Sequence, residues 1–139
     1  WREKTTGIYR LSSHNKRFKQ IMHKHKIKPI LPSLREKKRY LVFEVISKGM
    51  INFNSLQKAI NDAILNVLGQ LGAAKAGIII LNDKWRNNRG LIRVSHKNVD
   101  NLMAALMFVS RVNNEEVIIK SVGVSGILKK AESKYLTIN

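Results

Sequence analysis

Cysteine is absent from the 139-residue chain. No disulfide framework, thiolate nucleophile or cysteine-based zinc site can form, which excludes the disulfide-stapled secreted scaffolds. Acids are scarce: nine Asp and Glu in all, with no D-x-D or paired-acid spacing apart from Glu115-Glu116. Such a set makes neither a general acid–base pair nor a carboxylate cage for a divalent cation legible. Proline occurs only at Pro29 and Pro32. No apolar run approaches the roughly 18 residues of a transmembrane helix, and no signal-peptide core is visible. The expectation is a soluble, cytoplasmic protein with no membrane partner. Because the chain opens on Trp1 rather than Met, the natural protein is expected to begin earlier.

What is plentiful is positive charge. Lys and Arg number 26, the formal net charge is +17 and the sequence pI is about 10.6. Self-repulsion of that size opposes compaction, so an anionic partner is expected. The rest of the composition, 44% hydrophobic and 25% charged, is that of a globular protein. The length suits one hydrophobic core and leaves no room for a second catalytic domain.

The charge is unevenly spread. Residues 1–28 hold nine Lys and Arg, including Arg17, Lys19, Lys24 and Lys26, against the single acid Glu3. This segment cannot bury enough surface to fold alone. Its apolar residues Ile8, Leu11, Phe18, Ile21 and Met22 fall loosely at helical spacing, which suits a helix forming on a partner. Pro29 and Pro32 mark an extended linker. The organisation expected is a basic extension and linker over 1–33 and an α/β domain over 34–139.

Within that domain, 40–47 (YLVFEVIS) reads as a strand. Asn54 reads as an N-cap with Gln57 three residues on, opening a helix that runs through Leu56, Ile60, Ile64 and Leu71, with Gly69, Gly72 and Gly77 bracketing its end. Residues 77–81 read as a buried strand, 82–89 (NDKWRNNR) as a polar turn and 90–95 as the returning strand of a hairpin. Val99 to Val109 gives a second amphipathic helix closed by Asn113 and Asn114, 116–122 a fourth strand, and 127–136 (ILKKAESKYL) a short basic helix. This order is the split βαβ, ferredoxin-like arrangement of an RNA-recognition-type domain: a four-stranded antiparallel sheet, two helices on one face, and a terminal basic helix.

Strands one and three should be central neighbours. Period-two alternation assigns Leu41, Phe43, Val45, Ile92 and Val94 to the helix-covered face. It assigns Tyr40, Val42, Glu44, Ile46, Leu91, Arg93, Ser95, Ile118 and Lys120 to the other. So much apolar area is not left in water, so the terminal helix or a partner should cover it. Glu44 and Arg93 are expected to be cross-strand neighbours.

RNA-recognition motifs stack bases on aromatics of the two central strands. Here 89–96 (RGLIRVSH) places Leu91, Arg93 and Ser95 at those positions, and strand one offers only Tyr40. Phosphate-backbone contact is the stronger expectation, carried by Arg35, Lys37, Lys38 and Arg39 before strand one, by Lys129, Lys130 and Lys134 on the terminal helix, and by the basic tail. Whether these clusters converge is not settled by the pattern. The Ser125-Gly126 step can offer backbone N–H donors to an anion, or serve as a cap beside glycines needed for packing. His23 and His25 alternate with lysines that repel a cation, so phosphate contact or solvation suits them better than metal. His14 and His96 stand alone, Met103 and Met107 fill a helix core, and no Ser/His/Asp set is legible.

Four stretches resemble one family: 31–47 (LPSLREKKRYLVFEVIS), 68–76 (LGQLGAAKA), 89–94 (RGLIRV) and above all 118–130 (IIKSVGVSGILKK). They are similar to the small α/β subunit of archaeal and eukaryotic ribonuclease P, protein component 2 in archaea, over roughly 31–136. The resemblance implies an RNA-recognition-like fold in a ribonucleoprotein that removes the 5′ leader of precursor tRNA. It further implies catalysis by the RNA with Mg2+, pairing with a TIM-barrel subunit on the RNA's catalytic domain, contact with other protein subunits, and self-association as a heterotetramer. Carried to this chain, RNA contact falls on Arg35, Lys37, Lys38, Arg39, Ser125, Gly126, Lys129, Lys130 and Lys134; the tail residues Arg17, Lys19, His23, Lys24 and Lys26 follow from charge alone. A ribosomal or other structural RNA-binding protein is the alternative. An acylphosphatase-type enzyme would need an arginine in the loop after strand one, where SKGMINF supplies only Lys48.

Overall fold

The structure, a computed structural model, describes residues 29–137. The expectations for 1–28, the helical spacing and the RNA contacts of Arg17, Lys19, His23, Lys24 and Lys26, lie outside the described residues. Contacts divide the chain between Arg35 and Glu36, and each part is described by itself. In the first, a 3-10 turn spans Pro32–Leu34 and Arg35 Nε donates to the Ile30 carbonyl at 3.2 Å.

From Glu36 onward the fold is α+β. Its elements are β1 (Lys38–Ser47), α1 (Phe53–Ala76), β2 (Ile79–Arg86), β3 (Arg89–Ser95), α2 (Val99–Met107), β4 (Arg111–Val112), β5 (Glu115–Ser125) and α3 (Leu128–Ala131), which runs into a π-helical turn at Glu132–Leu136. A 3-10 turn, His96–Asn98, leads into α2. The described strands form one antiparallel sheet in the order β2-β3-β1-β5-β4, with β1 and β3 adjacent as expected.

Several local expectations are corrected. The sheet has five strands rather than four, because Asn113, at φ 55, turns the chain so that Arg111 and Val112 pair with Glu116 and Glu115. Asn113 and Asn114 therefore make a hairpin turn, and α2 has already ended at Met107. The cap of α1 is Asn52, whose side chain accepts the Asn54 N–H at 2.9 Å. Of the glycines expected to bracket its end, Gly69 kinks the helix (φ 71, ψ 171) and Gly77, at φ 58, caps it after Ala76. The expected eight-residue turn at 82–89 shrinks to Asn87 and Asn88, at φ 51 and 57. Paired left-handed residues make the primed turn whose twist matches a hairpin, and Asn tolerates that region. Polar residues 82–86 therefore belong to β2, an edge strand that needs one buried side at most. Its Trp85 packs on Phe43 and Phe53, with ring centroids 6.2 and 5.2 Å apart.

The face assignment holds. Leu41, Phe43, Val45, Ile92 and Val94 join Val117 and Ile119 against Leu56, Ile60 and Ile64 of α1 and Leu102, Ala105 and Leu106 of α2. On the opposite face Val42 and Leu91 are buried under Ala131 and Leu136, with Leu128 and Tyr135 packed around them. The terminal helix is thus the cover the sequence called for. A four-residue helix has no stability of its own, so burial of Leu136 and its neighbours, about 1.5–3 kcal/mol per large apolar side chain, holds it down. Ile46 and Ile118, cross-strand partners 51% and 65% exposed, stay outside that cover.

The expected Glu44–Arg93 pair is corrected. The register sets Glu44 opposite Arg89 and Arg93 opposite Tyr40. Periodicity selects a face but not a register; here Lys38 stands opposite Ser95, which places Glu44 opposite Arg89. Arg89 Nε and Nη2 each lie 3.3 Å from Glu44 Oε1, while Nη1 donates to the Tyr135 carbonyl at 2.7 Å. One guanidinium therefore fastens the terminal turn to the sheet.

Gly123, opposite Val42, permits the closest part of this docking, since a Cβ there would clash with Cζ, Cε1 and the hydroxyl of Tyr135. Gly123→Val is expected to destabilise the domain by about 1–3 kcal/mol through overpacking, a melting-temperature loss of roughly 5–15 °C. A thermal melt followed by circular dichroism that coincides with the parent's would refute this packing.

Candidate nucleic-acid interface

Antiparallel pairing gathers three strand ends at one end of the sheet. Tyr40 pairs with Ser125 and Lys38 with Ser95, and the Lys37 carbonyl accepts the His96 N–H at 2.9 Å. The start of β1 therefore meets the ends of β3 and β5. The Arg39 guanidinium lies on Gly126, where an added Cβ would come within 3.1 Å of Nη1; the same Nη1 donates to the Lys38 carbonyl at 3.1 Å. Lys37, His96 and Lys97 are exposed at this end. Lys38 Nζ stands 3.4 Å from Glu36 Oε2, an exposed pair. Such a pair is worth at most about 1 kcal/mol, whereas a charge-assisted contact to a phosphate is worth about 1.5–3, so Glu36 does not withhold Lys38 from an anion.

The Ser125-Gly126 step does not open the helix. α3 starts at Leu128 after Ile127, and Ser125 Oγ accepts the Ile127 N–H at 3.2 Å and donates to the Ile127 carbonyl at 3.0 Å. The Ser125 hydroxyl and the Ile127 N–H are thus engaged with each other's residue, and Gly126 permits the close approach of Arg39.

Lys129, Lys130 and Lys134 are exposed on the terminal helical segment, with Lys134 Nζ 5.2 Å from the Tyr135 ring centroid. They belong to the segment that covers Val42 and Leu91. Between this segment and the β2–β3 hairpin runs a trough of about 580 Å3 lined by Lys84, Arg86, Asn87, Lys129, Glu132 and Ser133 among others. Lys84 Nζ lies 2.7 Å from Glu132 Oε1. Its hydrogen bond to that carboxylate raises the ammonium above its ordinary value of 10.5, so Lys84 is charged at neutral pH. Among the described residues no group of three or more His, Asp or Glu is placed to hold a metal ion, and no helix is long and apolar enough to cross a membrane.

A family model described as the Rpp14/Pop5 family matches residues 39–136. The chain belongs to the Rpp14/Pop5 family. It is 38% identical over 110 residues to ribonuclease P protein component 2 of Pyrococcus furiosus, covering 79% of this chain and 92% of that protein. The proteins of the same name from Methanosarcina mazei and Archaeoglobus fulgidus are 34% and 33% identical, covering 79% and 81% of this chain and 93% and 100% of theirs. A chain in a cryo-EM structure of yeast ribonuclease MRP shares the fold, with a TM-score of 0.54 over 66% of this chain and 76% of that one at 14% identity.

Within this Rpp14/Pop5 domain the basic residues singled out from sequence thus fall into two groups, Lys37, Lys38 and Arg39 with Gly126 at the strand ends, and Lys129, Lys130 and Lys134 on the terminal segment. Arg35 lies beyond the division at Glu36 and is described only with its own turn. Sequence reasoning missed Lys97, the exposed neighbour of His96, whose N–H meets the Lys37 carbonyl. It also missed Lys84 and Arg86, because a segment read as a turn has no face on which to place them. Trp85, a large apolar residue inside that polar stretch, was the available signal: it packs on Phe43 and Phe53.

Proposed function

We propose that the chain is a non-catalytic protein subunit of ribonuclease P. It supports the RNA that removes the 5′ leader of precursor tRNA by binding that RNA's catalytic domain together with a TIM-barrel protein partner. The observation that carries this reading is the similarity to ribonuclease P protein component 2 over 92–100% of the lengths of the archaeal proteins named above. A net charge of +17 agrees with it. The four long strands with α1 and α2 follow the split βαβ, RNA-recognition-like order, and two copies of the protein pair associate as a heterotetramer alongside other subunits in the cytoplasm.

The sheet face does not serve as a base-stacking platform in this reading, since α3 covers Val42 and Leu91 and the neighbouring strand positions carry no aromatic apart from Tyr40. RNA instead meets the basic strand ends, the terminal segment and the extension over 1–33. The Mg2+ belongs to the RNA. Lys and Arg set against crowded phosphates replace part of the cation atmosphere that otherwise lets the catalytic core compact.

Replacing Arg35, Lys37, Lys38 and Arg39 together with Ala is expected to raise the magnesium midpoint of reconstituted precursor-tRNA cleavage while leaving the cleavage position unchanged, because phosphate contacts position without specifying. The measurement is cleavage across a magnesium titration with the TIM-barrel subunit present. Coincidence of variant and parent at every concentration would remove this cluster from the RNA-facing surface.

A further inference from the structure

We propose that the trough between the β2–β3 hairpin and the terminal helical segment is a second ribose–phosphate binding site, in which Arg86 and Lys129 grip one segment of RNA backbone from opposite walls. The inference rests on the RNA-subunit reading above and adds to it a site made of residues that the sequence pattern did not bring together.

Both walls are held before any ligand arrives. On one side the hairpin closes through two left-handed asparagines, Asn87 and Asn88. On the other, the terminal turn is fastened by Arg89 Nη1 on the Tyr135 carbonyl at 2.7 Å and by burial of Leu136 against the sheet. The spacing of the two walls that carry the cations is therefore set by the fold, and binding does not have to order two loose segments.

The charges divide unequally. Lys84 is held by Glu132 at 2.7 Å. Arg86 and Lys129 are exposed, and among the described residues neither forms an ion pair. The trough keeps two unpaired cations, with the Asn87 amide beside them as a neutral donor to phosphate oxygens and the Ser133 hydroxyl, which donates to the Lys130 carbonyl at 3.4 Å, as an acceptor for a 2′-hydroxyl. A protein partner would need an apolar or aromatic anchor point at the centre of such a contact. The one large apolar side chain here, Leu136, is spent on the sheet. Cations and neutral donors without an anchor pocket suit a sugar–phosphate chain. Glu132 then acts as a restraint that keeps Lys84 out of the count.

The test is the salt dependence of full-length protein binding to a ribonuclease P RNA transcript, followed by fluorescence anisotropy. Each phosphate contact contributes about 0.7–0.9 to the slope of log K against log salt. The Arg86→Gln, Lys129→Gln double variant is expected to lose about 1.4–1.8 from that slope. Lys58→Gln with Lys75→Gln removes equal charge from exposed positions on α1, and is expected to leave it unchanged. Glu132→Gln with Asp83→Asn removes both carboxylates beside Lys84 Nζ, at 2.7 and 3.7 Å, and is expected to tighten binding and steepen the slope by about one contact. A steep parental slope that the trough variant leaves intact overturns this site and spares the subunit reading. So does an equal loss in the α1 control, or loss of a protein subunit's co-elution with RNA binding untouched. A parental protein with no salt-dependent binding overturns both.

Discussion

Phe43→Ala is expected to lower the melting temperature on the order of 20 °C. Phe43 is fully buried, and its ring lies against Gly90 at the centre of the sheet and against Trp85 of the edge strand. Truncating it removes the transfer free energy of the ring and leaves a cavity, together about 3–5 kcal/mol, from a total stability of about 5–15 kcal/mol. For a domain of this size each kcal/mol is worth about 4–8 °C. The loss reaches function as well as stability, because β1 and β3 carry Lys37, Arg39 and His96 to a common end through the register that Phe43 helps pin. Ile118→Ala, on the face left uncovered, is the matched control: at 65% exposure it is expected to change stability within about 0.5 kcal/mol. Thermal melts of the two variants decide the matter, and a Phe43→Ala melt within 5 °C of the parent would refute the packing described.

Removal of residues 1–28 is expected to leave the melt of the α/β domain in place while cutting several units from the salt slope of RNA binding. The segment supplies nine cations and one acid. At about 0.7–0.9 per phosphate, six or more contacts change affinity by about 10^3- to 10^5-fold between 50 and 200 mM salt, so this is the largest single effect expected on binding. The reason to expect folding to survive is the absence of a periodic apolar stretch able to make a core element there. Circular dichroism and salt titration of the truncated chain test the two halves separately. Loss of the fold would contradict the first, and an unchanged slope the second.

Much of the domain was legible one residue at a time. Alternation along YLVFEVIS and GLIRVS put Leu41, Phe43, Val45, Ile92 and Val94 on the face that α1 and α2 cover, and the apolar remainder at Val42 and Leu91 announced a second cover. The errors lay in the connections. Two asparagines sufficed for the hairpin where eight residues had been allotted, and Asn113 built a fifth strand where a helix end was expected, because αL-tolerant residues mark a turn without stating its length.

The charge of the chain, the order of its long strands and two main helices, and the inward faces of β1 and β3 were determined by the sequence itself, since each is a sum over residues or a period of consecutive residues. Tertiary structure alone decided that Glu44 faces Arg89 and not Arg93, that Arg39 lies on Gly126, and that Lys84, Arg86 and Lys129 share one trough. These are relations between residues tens of positions apart, and a shift of one residue in any turn between them would undo them. No local pattern encodes that register; it follows from packing both faces of the sheet at once.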